Sequence, residues 1–272
     1  MAQVNTMKNI KLILCDLDGT LLDNKKNISK ENIDTIKGLK NTKFVIATGR
    51  PIEGVLKYIE LLNLNHSYSL CYNGGLIIEN KTKKIIHSST ISGKIVKKIY
   101  NFAIKSNLNF HAFLQNGELI TNEKNEYTAV EEKINQINAK VVDINSLSDD
   151  EKFIKCMIVS SKENLDNIIS KVPKEFLDNT NMVRSSNIFL EFLNKDINKG
   201  LGLKILAAFL SIDINETMAI GDADNDKAML EYAGVGVAME NRFPVLDKYA
   251  DFITKSNEES GVAYAIKHYN VS

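Results

Sequence analysis

Short apolar runs of strand length alternate with segments of helical periodicity at both ends of this chain. In the first part, apolar runs at residues 10–15, 44–47 and 68–71 are separated by two segments whose apolar residues recur at helical spacing. Strands that alternate with helices in this way pair in parallel, because each helix returns the chain to the start of the next strand. The pattern therefore predicts an α/β fold built on a parallel sheet.

The same alternation returns near the C-terminus, whereas the middle of the chain differs. Two helices and two strands are predicted between residues 200 and 238. Between about residue 84 and residue 187, hairpin-like strands and helices give an α+β pattern instead. The sequence therefore predicts a core made of residues 1–83 and 188–272, into which residues 84–187 are inserted as a second domain.

The composition excludes several classes of partner. Hydrophobic residues make up 44% of the chain and charged residues 25%, which is typical of globular enzymes. Lys plus Arg and Asp plus Glu number 34 each, so no net charge attracts nucleic acid or an anionic membrane. No apolar run approaches bilayer length, and the first one is too short for a signal peptide. The sequence predicts no nucleic-acid, membrane or protein partner and no export.

The cysteines indicate a reducing compartment. Cys15, Cys71 and Cys156 lie in or beside apolar runs, without the CxxC spacing of many zinc sites. This placement is typical of buried, reduced thiols rather than of a disulfide framework. The four histidines are scattered and are interpreted as structural or surface residues. We therefore expect a cytoplasmic protein.

The sequence DLDGTL begins at Asp16, directly after the first predicted strand. Ligands of open α/β sheets bind beyond the carboxyl ends of the strands, so Asp16 and Asp18 stand where chemistry is usually done. Residues two apart in an extended segment point the same way, so both carboxylates can converge on one bound group. A turn rich in Asp and Gly is the alternative. A calcium loop is excluded, since Leu21 and Asn27 occupy the positions that need Gly and an acid.

The second predicted strand is followed by Thr48, Gly49 and Arg50, and Pro51 stands where the next helix is predicted to begin. A hydroxyl, a flexible glycine and a helix N-terminus together suit hydrogen bonds to phosphate oxygens. Arg50 could add a forked contact. The alternative is that Thr48 only caps the helix that Pro51 leads.

A third strand end carries the sequence GDADND at residues 221–226. Acidic side chains grouped at the head of a helix repel one another and resist desolvation, so a bound cation is the natural reason to hold them together. Ligands that are all oxygen atoms indicate Mg²⁺. The alternative is that Asp224 caps the helix while the other acids are solvated.

Lys199, which follows Asn198 and precedes Gly200, opens another predicted helix. The helix dipole disfavours a cation at this end, so an anion nearby would explain the lysine. Lysine is abundant in this chain, and the alternative is an ordinary surface residue. Lys199 is therefore interpreted as a functional residue only together with the other three segments.

Together, these four segments resemble, in order and spacing, the motifs of the haloacid dehalogenase-like phosphatase superfamily. The GDxxND form of the last motif, the segment Tyr72-Asn73-Gly74-Gly75 and the long insertion are similar to the Cof-type branch with a type IIB cap. The resemblance spans nearly the whole chain. It implies a Rossmann-like parallel-sheet core and an α+β cap, at residues 84–187, that selects the substrate.

The resemblance also implies a role for each matching acidic residue. Asp16 would be the nucleophile that forms an aspartyl-phosphate, and Asp18 would protonate the leaving oxygen and then activate water. Mg²⁺ would be held by Asp16, the backbone carbonyl of Asp18, and Asp222. Asp226 would support the metal or its waters.

The other implied roles concern the substrate. Thr48 and Lys199 would hold the transferring phosphoryl group by position and charge. The further substrate-binding residues that the resemblance implies are Gly49, Arg50, Asn73 and Asn225.

We therefore expect Mg²⁺-dependent hydrolysis of a small phosphorylated metabolite through an aspartyl-phosphate on Asp16. Sugar phosphates are the leading substrate class, and pyridoxal phosphate and flavin mononucleotide are further candidates. A sugar phosphomutase is the main alternative, because such enzymes have a similar core, cap and Asp pair. A metabolite-binding regulator with a decayed site ranks lower, because the motif residues all retain reactive side chains.

Overall fold

The computed structural model describes residues 9–272, which form two compact units. The first unit contains the described residues up to Gly49, together with Val55–His87 and Asn198–Ser272. The second contains Arg50–Gly54 and Ser88–Ile197. That residues 84–187 form an inserted domain that selects the substrate remains a prediction.

Strands and helices are numbered in chain order. The strands are β1 (Leu12–Asp16), β2 (Lys43–Ala47), β3 (Tyr68–Cys71), β4 (Leu76–Glu79), β5 (Ile85–Ser88), β6 (Ile91–Ser92), β7 (Asn109–Leu114), β8 (Leu119–Thr121), β9 (Lys140–Val141), β10 (Lys152–Val159), β11 (Thr180–Ser186), β12 (Phe189–Asn194), β13 (Thr217–Gly221), β14 (Val235–Ala238) and β15 (Phe252–Ile253). The helices are α1 (Lys30–Lys37), α2 (Leu56–Leu61), α3 (Gly93–Lys105), α4 (Glu126–Asn135), α5 (Lys162–Ile169), α6 (Lys174–Asn179), α7 (Lys199–Phe209), α8 (Lys227–Tyr232) and α9 (Gly261–His268).

The first unit is built on an eight-stranded sheet with the order β15-β14-β13-β1-β2-β3-β4-β5. All neighbouring pairs from β15 to β3 run parallel, and β4 turns back antiparallel to β3. The predicted α/β fold with a parallel sheet is therefore confirmed. Every residue of β1 is buried, as expected of a central parallel strand that is covered on both faces.

Helix α7 packs on this sheet through an apolar face. Leu203 and Leu206 belong to the same buried cluster as Leu12 and Leu14 of β1. Burying each of these side chains contributes about 2 kcal/mol of transfer free energy. This packing holds α7 against the sheet, and its first residue is Lys199.

The predicted start of a helix at Pro51 is wrong. The chain forms a 3₁₀ turn at Glu53–Val55, and α2 begins only at Leu56. Gly54 and the β-branched Val55 are poor helix formers, which weakens the first turn that Pro51 would lead. The segment Arg50–Gly54 belongs instead to the second unit.

The second unit contains a seven-stranded sheet, with the order β11-β12-β10-β7-β8-β9 and β6 paired to β10. Most of its pairs are antiparallel. One face of the sheet packs with α3, α5 and α6 in an apolar cluster that includes Phe110, Cys156 and Phe192. The unit is thus α+β.

The cysteines lie as predicted, because Cys15, Cys71 and Cys156 are all buried. No disulfide joins cysteines of the described chain. Within residues 9–272, no helix is long and apolar enough to cross a bilayer.

Candidate active site

Three of the motifs meet at one edge of the parallel sheet in the first unit. Asp16 is the last residue of β1, and it pairs in register with Ala47, the last residue of β2. On the other side of β1, β13 ends at Gly221. Asp16 thus ends its strand, and Thr48 and Asp222 directly follow theirs. All three residues lie at the carboxyl ends of neighbouring parallel strands, where α/β proteins bind ligands.

Lys199 links two of the acidic residues. Its side chain is 0% exposed, and its Nζ donates to Oδ1 of Asp16 at 2.5 Å and to Oδ1 of Asp226 at 2.6 Å. Its helix is capped by the side chain of Asn198, which accepts from the backbone N–H of Leu201 at 2.8 Å. Two anions thus lie beside a cation that the helix dipole alone would disfavour.

Asp226 also fixes the loop that carries Asp222. Its Oδ2 accepts the backbone N–H groups of Asp222 at 2.9 Å and Ala223 at 3.0 Å. A Cβ on Gly221 would lie 2.5 Å from the Cβ of Asp226, so only glycine permits this approach. Asp226 therefore uses both carboxylate oxygens to join Lys199 to the loop.

Asp222 is oriented by the first motif. Its Oδ1 accepts from the hydroxyl of Thr20 at 2.7 Å. Gly19 has a φ of +88°, and a Cβ there would lie 2.5 Å from Oδ2 of Asp222. Gly19 is therefore required both for its backbone conformation and for the space beside the carboxylate.

The site can hold a metal ion. Carboxylate oxygens of Asp16, Asp222 and Asp226 lie within 4.8 Å of one another, and all three residues are buried. Three carboxylates and the ammonium of Lys199 leave an excess of two negative charges when all are ionised. The oxygen donors and this excess fit a hard divalent cation.

Burial and neighbouring charges shift the pKa values of Asp16, Asp222 and Lys199. Burial raises the pKa of Asp16 well above its usual range, Lys199 opposes the shift, and Asp226 and Asp222 reinforce it. Burial likewise raises the pKa of Asp222. Burial lowers the pKa of Lys199, but Asp16 and Asp226 outweigh it and raise the pKa above its usual value. The lysine stays charged, whereas the carboxylates need further positive charge to stay ionised together.

Four of the predicted phosphate and substrate residues lie close to one another. The backbone N–H of Thr48 donates to the carbonyl of Leu70 at 2.8 Å, and the carbonyl of Thr48 accepts from the N–H of Asn73 at 2.9 Å. Asn73 is left-handed, with a φ of 56°, and its Oδ1 accepts from Nδ2 of Asn225 at 2.9 Å. A Cβ on Gly49 would lie 3.3 Å from the Asn73 amide, so the small residue leaves room for it.

Two predicted site residues have different surroundings. The side chain of Asp18 is 37% exposed, and its Oδ1 accepts from Nζ of Lys26 at 2.8 Å. Arg50 belongs to the second unit, where its Nη1 donates to the carbonyl of Gly54 at 3.4 Å. Asp18 therefore contacts a lysine of the following turn, and Arg50 contacts a carbonyl of its own unit.

Sequence reasoning missed three residues of this region. Thr20 and Lys26 contact Asp222 and Asp18, and their nearness to the first motif was an available signal. Asn241 donates from Nδ2 to the carbonyl of Gly19 at 2.8 Å. No motif marks Asn241, so only the folded chain reveals it.

A family comparison agrees with the order of these motifs along one parallel sheet. A model of the haloacid dehalogenase-like hydrolases matches residues 13–266. The chain belongs to the haloacid dehalogenase-like hydrolases. This match confirms the resemblance that the four motifs carried.

Three proteins are similar to this hydrolase over nearly their whole length. The Streptococcus pyogenes protein M6_Spy0533 is 36% identical over 266 residues, covering 96% of this chain and 98% of that protein. The Bacillus subtilis protein YitU, a 5-amino-6-(5-phospho-D-ribitylamino)uracil phosphatase, is 29% identical over 269 residues, covering 95% and 97%. The crystal structure of a haloacid dehalogenase-like hydrolase from Bacteroides thetaiotaomicron has 31% identity and a TM-score of 0.86, with coverage of 95% and 98%. Because such relatives are named as phosphatases, this hydrolase is assigned as a phosphoric monoester hydrolase.

Proposed function

We propose that this phosphatase hydrolyses the phosphate ester of a small sugar or sugar alcohol, with Mg²⁺ as cofactor and Asp16 as the nucleophile. The observation that carries the proposal is the buried cluster of Asp16, Asp222 and Asp226 around Lys199. The substrate class is supported by YitU, whose named substrate carries a phosphorylated ribityl chain.

The charge of the cluster explains why a cation is needed. A phosphate dianion is repelled by three buried carboxylates, and one lysine does not balance them. Asp16 and Asp222 would hold Mg²⁺ together with the backbone carbonyl of Asp18, and Asp226 would support it. When bound, the ion supplies the neutralisation that lets an anionic nucleophile approach an anionic substrate. Mg²⁺ is favoured over Ca²⁺ because a small cluster suits the smaller ion.

The residues of the chain then divide the chemistry. An oxygen of the Asp16 carboxylate attacks phosphorus, while Asp18 gives its proton to the leaving ester oxygen. In the second half, a water attacks phosphorus and gives its proton to Asp18, and the Asp16 carboxylate is released. Lys199 and Thr48 hold the transferring phosphoryl group and stabilise its charge.

The remaining predicted residues concern the substrate. Gly49, Asn73 and Asn225 would line the phosphate end, and the 2.9 Å contact between the two asparagine side chains supports this proposal. Arg50 and the inserted residues 84–187 are proposed to choose the alcohol part of the substrate, which would separate selection from chemistry. In this view, a cap taken from a relative would change substrate preference without changing the metal requirement.

The deciding experiment is phosphate release from a panel of phosphorylated sugars, sugar alcohols, pyridoxal phosphate and flavin mononucleotide, with and without Mg²⁺. Turnover should be fastest on a sugar or sugar-alcohol phosphate, and mass spectrometry of borohydride-trapped enzyme should locate the phosphorylated carboxylate at Asp16. Interconversion of two phosphate isomers that outpaces phosphate release would identify a phosphomutase instead. Trapping at another residue would overturn the proposed nucleophile.

A further inference from the structure

The turn that follows the first motif presents a lysine to Asp18. Nζ of Lys26 donates to Oδ1 of Asp18 at 2.8 Å. Lys26 is 54% exposed and Asp18 37% exposed at their side chains, so the pair lies at the surface of the first unit rather than within its buried cluster. An exposed aspartate can adopt several rotamers, and a fixed cation beside it selects among them.

The backbone of the turn holds Lys26 in place. Lys26 has a φ of +64°, which a residue with a side chain adopts only when neighbouring contacts impose it. Its N–H donates to the carbonyl of Asp23 at 2.9 Å, and its carbonyl accepts from the hydroxyl of Tyr58 at 3.3 Å. Oδ1 of Asp23 also accepts the N–H groups of Lys25 and Asn27, at 2.9 and 2.8 Å. The backbone from which the Lys26 side chain extends is therefore anchored.

We infer that Lys26 is a positioning residue that aims the carboxyl group of Asp18 at the leaving oxygen of the substrate. The inference rests on the proposed role of Asp18 as the acid and base. In this role, Asp18 delivers one proton to the leaving group. As the bond from Asp16 to phosphorus forms and the ester bond breaks, this proton moves to the ester oxygen and yields an alcohol. The Asp18 carboxylate that remains later takes a proton from the attacking water.

The leaving group of the substrate separates this role from a structural one. A sugar phosphate expels an alkoxide and needs the proton, whereas p-nitrophenyl phosphate expels a phenolate that leaves without it. The ratio kcat/KM reports the steps up to phosphorylation of Asp16. We expect Lys26→Met to lower kcat/KM about two- to fivefold on the best sugar phosphate, the range for loss of an exposed ion pair. The same variant should leave kcat/KM on p-nitrophenyl phosphate unchanged.

Matched variants sharpen the measurement. Lys25→Met removes an exposed lysine from the same turn and should change neither substrate, while Lys26→Arg should restore most of the loss. Asp18→Asn should lower kcat/KM on the sugar phosphate roughly 100-fold or more and affect p-nitrophenyl phosphate far less. Adding Lys26→Met to Asp18→Asn should then cause no further loss, because the lysine acts through the aspartate.

Equal losses on both substrates, or a full additional loss in the double variant, would overturn the inference and leave Lys26 with a structural role. An unchanged kcat/KM on both substrates would overturn it as well. The proposed function fails separately. If Asp18→Asn does not discriminate between the two leaving groups, Asp18 is not the acid, whatever Lys26→Met does.

Discussion

Each unit of the molecule buries a lysine against carboxylates, but the two clusters are balanced differently. In the first unit, Lys199 contacts Asp16 and Asp226, with Asp222 beside them. In the second unit, Lys155 on β10 donates to Oε1 of Glu191 on β12 at 2.9 Å. Burial alone therefore does not distinguish a site from a structural ion pair.

The net charge of each cluster does distinguish the two. In the second unit, burial raises the pKa of Glu131, Glu191 reinforces the shift, and Lys155 opposes it. Burial lowers the pKa of Lys155, but Glu191 and Glu131 outweigh it, and the lysine stays charged. When all are ionised, Lys155, Glu131 and Glu191 leave an excess of one negative charge. The first unit leaves an excess of two around Lys199, and its three carboxylates lie close enough to share one cation.

Within residues 9–272, the cluster of Asp16, Asp222 and Asp226 is the one group of three potential metal ligands close enough to share an ion. The comparison teaches that uncompensated charge, rather than buried charge, marks the chemistry. The comparison also predicts that substitutions in the two clusters have opposite effects on stability. Each prediction below tests one of the two clusters.

The largest effect is expected for Asp16→Asn. Loss of the nucleophile should lower kcat roughly 10⁴-fold or more. The melting temperature should stay the same or rise, because a like charge is removed from beside Asp222 and Asp226. Phosphate release and thermal unfolding measure the two quantities, with Asp34→Asn on the exposed side of α1 as the control. An inactive variant that is also strongly destabilised would show that the charge of Asp16 serves the fold.

The second unit should respond in the opposite sense to Lys155→Met. The variant leaves Glu191 buried without its ammonium partner, which typically costs about 3–5 kcal/mol of unfolding free energy. Urea unfolding measures the change, and hydrogen exchange should locate the lost protection in β10 and β12. Combining Lys155→Met with Glu191→Gln should recover part of the stability, since the buried charge of Glu191 is removed together with its partner. A loss below about 1 kcal/mol would show that the Lys155–Glu191 ion pair does not stabilise the second unit.

Sequence reasoning found the first cluster because its residues follow strand ends, where residue types are set by chemistry. Asp16, Asp222 and Asp226 were predicted as metal ligands from their places in two motifs, and the fold brings their oxygens together. Lys199 was predicted to need an anion, and it has two. The residue-level roles themselves stay predictions, since geometry places groups without showing what they do.

The second cluster could not be predicted in the same way. Lys155 and Glu191 interrupt apolar strands, and nothing local indicates that two residues 36 positions apart will pair. Helix α4 even reverses the usual pattern, because it buries Glu131 and Asn135 while Ile134 is 49% exposed. Hydrophobic periodicity would turn this helix the other way. The orientation of α4 depends on charged partners that only the tertiary fold supplies.

A smaller effect is expected from His111, which is buried near Lys155. Its Nε2 hydrogen bonds with the hydroxyl of Thr128 at 2.9 Å. Burial and Lys155 lower its pKa to about 4, against a weaker opposing effect of Glu132. The unfolded chain binds this proton below about pH 6.5, so the stability is complete above that pH and is lost as the pH falls toward 4. The loss from this residue should reach about 3 kcal/mol.

Other carboxylates also titrate in acid, so the test is a difference between variants. The unfolding free energy of His111→Gln, which keeps a hydrogen-bonding group for Thr128, should fall less steeply than that of the wild type between pH 6.5 and pH 4. Hydrogen exchange should place the acid-sensitive protection of the wild type in β7 and α4. Parallel pH curves for the two proteins would show that His111 is not buried in its neutral form.

The smallest expected effect is the stabilisation of the first unit by Mg²⁺, which should reach about 2.7 kcal/mol when free Mg²⁺ is 100-fold above its dissociation constant. The gain arises because the ion binds the folded carboxylate cluster and not the unfolded chain. Asp222→Asn should abolish it. Asp224→Asn is the matched control, since Asp224 lies in the same loop with a side chain 71% exposed and should retain the response. Mg²⁺ should increase hydrogen-exchange protection at residues 16–20 and 221–226, with none gained around Lys155. Equal stabilisation of the Asp222→Asn and Asp224→Asn variants would place the ion elsewhere and remove the distinction between the two clusters.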